Sequence, residues 1–156
     1  MKRIFIYYSL SGNGDAIADY LKTKKFDIRK IRVFKELPKN KILRILTGGF
    51  LVGVNHKDKL IGFDNNIKDY DEIVVGSPIW NGKLSCPINT VLDELNLNDK
   101  KLTFILYSGS GRALKTAALL EKRYKNTKII NLKEPKSNDF KEVLDKELLW
   151  KKQYIL

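Results

Sequence analysis

One cysteine, Cys86, is all the thiol chemistry available to this chain of 156 residues. No internal disulfide can form, and one copy cannot give a metal ion two thiolate ligands. That scarcity fits a reducing compartment. Histidine is equally scarce: His56 stands alone in the stretch Asn55–Asn66, which reads as a surface loop, and is expected to be a surface residue rather than a catalytic base. No apolar run approaches the roughly 20 residues of a membrane span. The apolar stretch that follows Lys2 and Arg3 ends at Ser9, too short for a secretory core region. A cytoplasmic protein with no membrane partner is expected. There is no internal repeat, low-complexity tract or proline-rich linker, so residues 1–156 are read as one domain.

What is present is ordinary in amount and unusual in sign. Hydrophobic residues make up 43% and charged residues 31%, close to globular averages, which excludes a disordered chain. A chain of this length buries roughly 68–70% of its unfolded surface around one core. Lys and Arg number 30 against 18 Asp and Glu, a formal charge of +12. The excess is mostly lysine, spread from Lys2 to Lys152, and no helix-turn-helix, zinc-finger or RNP pattern accompanies it. It reads as a solvated basic surface, and nucleic acid is not the expected partner.

Apolar runs alternate with helical patterns. Ile4–Tyr8, Ile28–Phe34, Ile73–Val75, Leu102–Tyr107 and Lys128–Leu132 read as five strands, the second nearer an edge because it is part-charged. Ile17 and Leu21, then Ile88, Val91, Leu92 and Leu95, then Ala113, Ala117, Leu120 and Tyr124, recur at helical spacing. Phe140, Val143, Leu144 and Leu148 do the same near the end. Strands alternating with helices predict a parallel sheet covered on both faces. Between Lys35 and Tyr70 the pattern is irregular. Ile42, Leu46, Phe50 and Gly53 line one helical face, although Gly48-Gly49 weakens a helix there.

Three segments fall at carboxyl ends of strands, where doubly wound sheets bind ligands. The first, Ser9-Leu10-Ser11-Gly12-Asn13-Gly14-Asp15, joins a strand to a helix through hydroxyls and glycines. Glycines let backbone approach an anion, and the free amides and dipole of a helix start attract it. No Lys or Arg lies between Ile4 and Lys22, so a phosphate in this loop would rest on neutral donors. The second is read as a loop, Gly76-Ser77-Pro78-Ile79-Trp80-Asn81-Gly82-Lys83-Leu84. The third is Ser108-Gly109-Ser110-Gly111-Arg112. A dinucleotide fingerprint begins at Gly12-Asn13-Gly14 but fails at Ile17, where close helix–strand contact wants Gly or Ala. Glu36, the candidate ribose-binding acid, stands past the apolar part of its strand. No Gly-Lys-Ser/Thr follows the glycines, which excludes a P-loop. Cys86, just before Pro87, is expected to pack at a helix start.

With these three segments in order, the chain resembles flavodoxin-like FMN proteins, specifically short bacterial ones, over nearly its whole length. The resemblance implies a three-layer sandwich with a five-stranded parallel sheet of order 2-1-3-4-5. Ser9, Ser11, Gly12 and Asn13 match a phosphate loop close to Ser/Thr-x-Thr-Gly-Asn-Thr, with Leu10 inside it. Gly14 departs, losing a hydroxyl donor worth about 0.5–1.5 kcal/mol. Gly76-Ser77-Pro78-Ile79-Trp80-Asn81-Gly82 resembles the segment placed against the isoalloxazine. From it Pro78, Ile79, Trp80, Asn81 and Gly82 are expected to contact the flavin, Trp80 by stacking and Asn81-Gly82 by a peptide flip toward N5. Ser108, Gly109 and Gly111 are expected to bring backbone N–H groups to the pyrimidine edge, with Arg112 nearby. The implied function is electron transfer through noncovalently held FMN, with no metal and no catalytic side chain. The alternatives are an FMN-dependent NAD(P)H reductase of quinones or nitro compounds, or a flavodoxin-fold module that has lost FMN. Flavodoxins are commonly acidic. A chain this basic implies a redox partner with an acidic docking face. Monomer and homodimer both stay open.

Overall fold

The computed structural model describes residues 1–149; the last seven positions of the expected domain, 150–156, lie outside the described residues. Five parallel strands form the sheet: β1 (Arg3–Tyr7), β2 (Asp27–Lys30), β3 (Glu72–Trp80), β5 (Lys101–Ser108) and β6 (Lys128–Lys133), with β4 (Lys83–Leu84) set antiparallel on the end of β3. Their order is β2-β1-β3-β5-β6. With the short β4 set aside this is the expected 2-1-3-4-5 arrangement. The chain reverses its direction of travel across the sheet between β1 and β3.

Side-chain alternation sorts two layers of core. Phe5, Tyr7, Val74, Ile105, Tyr107, Ile130 and Leu132 point to one face, where they meet Ile17, Ala18 and Leu21 of helix α1 (Asn13–Thr23). Phe140, Leu144 and Leu148 join that layer from α5 (Lys141–Leu144), which continues as a π-helical turn over Asp145–Leu149. Ile4, Ile6, Tyr8, Ile73, Val75, Phe104 and Leu106 point the other way. They meet Ile88, Val91 and Leu92 of α3 (Cys86–Glu94) and Leu120 of α4 (Leu114–Arg123). Strands covered on both faces carry apolar residues on both, which is why they read as nearly continuous apolar runs. Each large aliphatic or aromatic side chain so buried contributes about 1.5–3 kcal/mol.

Two expectations needed correction. The second strand ends at Lys30, four residues short of Phe34. Ile31 still donates its N–H to the Tyr7 carbonyl, 2.7 Å, but the chain then leaves the sheet, and Val33 pairs with Leu60 of the Asn55–Asn66 loop. Phe34 is exposed. The third strand is longer than Ile73–Val75: Gly76, Ser77 and Pro78 continue it, pairing with Ile105, Leu106 and Tyr107. Pro78, Ile79 and Trp80 are therefore strand residues rather than loop residues. Proline is tolerated at that end because the ladder there runs out.

Helix α2 (Lys41–Gly53) fills the irregular region. Asn40 caps it, its Oδ1 accepting the N–H groups of Ile42 and Leu43 at 3.0 and 3.1 Å. Ile42, Leu46, Phe50 and Gly53 do share one face, but that face points outward; Gly48 and Val52 are the buried positions.

Candidate functional site

The carboxyl ends of β1, β3 and β5 open into a single cleft of about 520 Å³, within the usual range for small-molecule sites. Leu10, Ser11 and Asn13 line it from the first loop, Pro78, Ile79, Trp80 and Asn81 from the end of β3, and Ser108 and Gly109 after β5. The other expected site residues, Ser9, Gly12, Gly14, Gly82 and Gly111, are not among the cleft-lining residues.

Ser9 acts as a brace. Its Oγ accepts the N–H groups of Gly14 and Asp15 at 3.1 and 3.3 Å, so two amides at the start of α1 are satisfied within the protein. Gly12 has φ +94°, a left-handed conformation that lets the loop turn into the helix. Gly14, the departure from the family pattern, has a packing cause. A Cβ there would stand 2.6 Å from the Tyr107 hydroxyl and 2.7 Å from the Tyr7 ring. Tyr107 occupies the space a larger residue would need, and its hydroxyl donates to the Tyr8 carbonyl. Burial drives the Tyr107 phenol well above its ordinary range, so it remains a donor.

Asp15 follows directly. Its carboxylate accepts from Lys30 Nζ at 2.7 Å and from the Tyr7 hydroxyl at 2.9 Å. Partial burial pushes its pKa upward, but the hydrogen bonds from Lys30, Tyr7 and Ser9 outweigh it and hold the carboxyl below its usual value. Glu36 is committed elsewhere, accepting from the Tyr8 hydroxyl at 2.7 Å.

Positive charge does reach the first loop, from a distant part of the sequence. The Lys136 backbone N–H donates to Asn13 Oδ1 at 3.0 Å, Lys136 Nζ lies 3.5 Å from the Ser11 carbonyl, and its side chain covers Gly12. No periodicity marks Lys136. It follows β6, which β3 and β5 separate from β1 in the sheet, and only the folded loop after β6 brings it to the loop after β1.

Asn81 and Gly82 have φ of +46° and +71° and join β3 to β4 as a two-residue hairpin, Trp80 facing Lys83. Asn-Gly is the sequence signal for such a turn, both residues tolerating positive φ, so the expected loop over Gly76–Leu84 narrows here to a two-residue hairpin. Thr116 Oγ1 donates to the Gly82 carbonyl at 2.6 Å, anchoring the turn to α4. Trp80 sets its ring edge-on to Tyr8, centroids 5.9 Å apart.

In the third loop the Gly111 N–H donates to Ser108 Oγ at 3.0 Å and the Arg112 N–H to Ser110 Oγ at 3.2 Å. Gly111 therefore does not offer its amide to the cleft as expected. It is glycine because its φ is +68° and a Cβ would meet Lys133 at 2.8 Å. Arg112 is exposed and is not among the cleft-lining residues. The cations that line the cleft are Lys41 and Arg44 of α2, beside Ile45, Gly48 and Gly49; Glu134 faces them from the end of β6. Gly48 permits this approach, since a Cβ would sit 3.2 Å from Leu37 and 3.6 Å from the Trp80 ring. Of the Gly-Gly pair, only Gly48 makes a tight approach, to Leu37; a Cβ at Gly49 would meet nothing closer than Asn81 at 3.8 Å.

Cys86 and His56 take the roles expected of them. Cys86 is fully buried at the first turn of α3, and burial pushes its thiol up to about 11. His56 is exposed, 3.4 Å from Asp58.

The residues present suit FMN. The cleft offers Ser11 and Asn13 from the first loop, with Lys136 beside that loop, then Pro78, Ile79 and Trp80 from the end of β3, and Ser108 and Gly109 at the end of β5. The family model described as NADPH-dependent FMN reductase matches residues 4–139. No curated protein matches. Among solved structures, a flavoprotein of Bacteroides eggerthii DSM 20697 is 20% identical, with a TM-score of 0.69 over 94% of this chain and 97% of its own. A flavoprotein of Lactobacillus acidophilus NCFM, solved in complex with FMN, is 22% identical with a TM-score of 0.67 over the same shares. One from Bacteroides uniformis ATCC 8492 is 18% identical, TM-score 0.68, over 92% and 97%. At these identities the structures establish a shared fold, and the family match covers most of the sequence. The chain is a flavodoxin-like protein and belongs to the NADPH-dependent FMN reductase family.

Proposed function

We propose that the protein transfers electrons through FMN held noncovalently in the cleft. The observation that carries this reading is the meeting of three loops, separated in sequence, on one cavity. Ser11, Asn13 and Lys136 would hold the phosphate end. Pro78, Ile79 and Trp80 would flank the ring, and Ser108 and Gly109 would meet its polar edge. FMN when bound supplies the one- and two-electron redox chemistry. The chain's own residues orient it, exclude water from part of it and set the local field. Lys41 and Arg44 favour added negative charge in the cleft and Glu134 opposes it, so the balance of these three tunes the potential. The Asn81–Gly82 peptide is the central peptide of its turn, and glycine lowers the cost of reorienting it toward N5.

A visible spectrum and a fluorescence titration test the reading. Quenching of FMN emission that saturates at one flavin per chain supports it. No binding at micromolar concentrations overturns it and leaves a cofactor-free module. The family match also supports a second reading, a reductase that oxidises NADPH, for which we infer a quinone or nitro compound as the acceptor. Steady NADPH oxidation by the pure FMN-loaded protein with such an acceptor supports the reductase; its absence supports the carrier. We also infer from the +12 charge that a redox partner protein presents an acidic face. Association with it slows as salt rises, and a rate that holds or increases overturns this inference.

A further inference from the structure

Nothing among the described residues covers the outward face of α2. Ile42, Leu46 and Phe50, four residues apart, are 69%, 64% and 67% exposed, and Leu43 and Val54 beside them are 55% and 56% exposed. These five residues form a continuous apolar strip on a helix whose buried positions are Gly48 and Val52. The segment that carries the strip has charge of one sign. From Leu37 to Lys57 there is no Asp or Glu, and Lys39, Lys41 and Arg44 stand at the amino end of the helix; Lys57, beyond its carboxyl end, is paired with Asp93. Cations at a helix amino terminus oppose the dipole, so helix stability does not account for their placement.

We propose that α2 docks on an anionic lipid surface, its apolar face among the acyl chains and its flanking Lys and Arg at the headgroups. Charge complementarity selects this occupant. A second copy would bring the same cations of two chains, each of charge +12, against one another. A protein partner is held in one orientation by aromatic and arginine anchors and by hydrogen bonds at the interface centre. The strip is aliphatic apart from Phe50 and has no side-chain donor or acceptor. It fixes no orientation, which suits a fluid layer. Thirteen helical residues span about 20 Å, and no described helix is long and apolar enough to cross a membrane. The helix therefore lies in the plane of the interface. The amino-terminal half of the same helix also borders the cleft, through Lys41, Arg44 and Gly48, so docking brings the cleft close to the lipid surface. The proposal rests on α2 and not on which cofactor fills the cleft.

Flotation with vesicles tests it. The protein is expected to float with vesicles of phosphatidylcholine and phosphatidylglycerol at low salt, to bind pure phosphatidylcholine about tenfold less, and to be released as salt screens the headgroups. Ile42→Gln, Leu46→Gln and Phe50→Gln combined abolish flotation while far-UV circular dichroism and FMN affinity stay unchanged. No flotation of the parent protein, equal binding to neutral vesicles, or undiminished flotation of the triple variant overturns the proposal. So does a dimer, seen by light scattering, that the triple substitution turns into a monomer, because the strip's occupant is then a second copy.

Discussion

A Cβ at position 14 would overlap the Tyr107 hydroxyl and the Tyr7 ring, so Gly14→Ala is expected to destabilise the protein by about 1–3 kcal/mol, as overpacking does. Urea denaturation measures it as a lower midpoint at unchanged slope. Tyr107→Phe in the same chain removes one of the two clashes and is expected to restore part of the loss. Lys136 makes a different prediction. Nζ reaches the Ser11 carbonyl from outside the loop, so Lys136→Gln is expected to weaken FMN binding about tenfold, the scale of one charge-assisted contact. Riboflavin, which lacks the phosphate, should bind the variant and the parent alike in the same fluorescence titration. Gly14 could be recognised in the sequence as a departure from the loop pattern, but its cause could not. That cause is two tyrosines on β1 and β5, strands that flank β3 in the sheet and lie far apart in sequence. Lys136 carried no local signal at all.

Asp15 ties α1 to β2 through Lys30 and to β1 through Tyr7. Its carboxyl is held below its ordinary value in the folded protein. The stability this adds is complete above the unfolded value of about 3.9 and is lost as pH falls through the folded one. Asp15→Asn should therefore flatten the acid limb of stability below about pH 5, as followed by denaturant midpoints across pH. Both partners are more than a third exposed, and solvent screens the pair, so the change in slope is small. Helix α2 offers a cleaner contrast. Nothing lies within 4 Å of a Cβ at Gly53, whereas one at Gly48 meets Leu37 at 3.2 Å. Gly53→Ala is expected to add about 0.5–1 kcal/mol from helix propensity, and Gly48→Ala to add less or to lose stability. Thermal unfolding of the two variants ranks them. The helical face through Ile42, Leu46 and Phe50 was legible from spacing. Its outward direction was not, because periodicity groups residues on a face without saying what the face meets.

For the molecule as a whole the relevant quantity is a net charge of +12 on 156 residues. Self-repulsion at that charge destabilises the compact state, and salt screens it. The thermal midpoint is expected to rise from low salt to about physiological ionic strength. A fall would mean that surface ion pairs such as Lys30–Asp15 and Arg29–Asp64 outweigh the repulsion. The same excess charge bears on association. Lys39, Lys41 and Arg44 gather at one end of a helix that also walls the cleft, so screening that stabilises the fold should weaken docking on an anionic surface.

Whereas the strand order was implied only by the resemblance to flavodoxin-like proteins, the sequence by itself determined the alternation of strands and helices, the parallel sheet, and the three segments that meet at its carboxyl edge. Those follow from local periodicity and from glycines and hydroxyls at strand ends, which act within a few residues of one another. Tertiary structure decided which of those residues line the cleft and which do not. It turned Gly76–Pro78 into strand by pairing them with β5, closed Asn81-Gly82 into a hairpin, and gave the amide of Gly111 to Ser108. It also brought Lys136, Tyr107 and α2 to a site first read from other segments. Contacts between residues far apart in sequence arise only when the sheet assembles, and a linear pattern does not encode them.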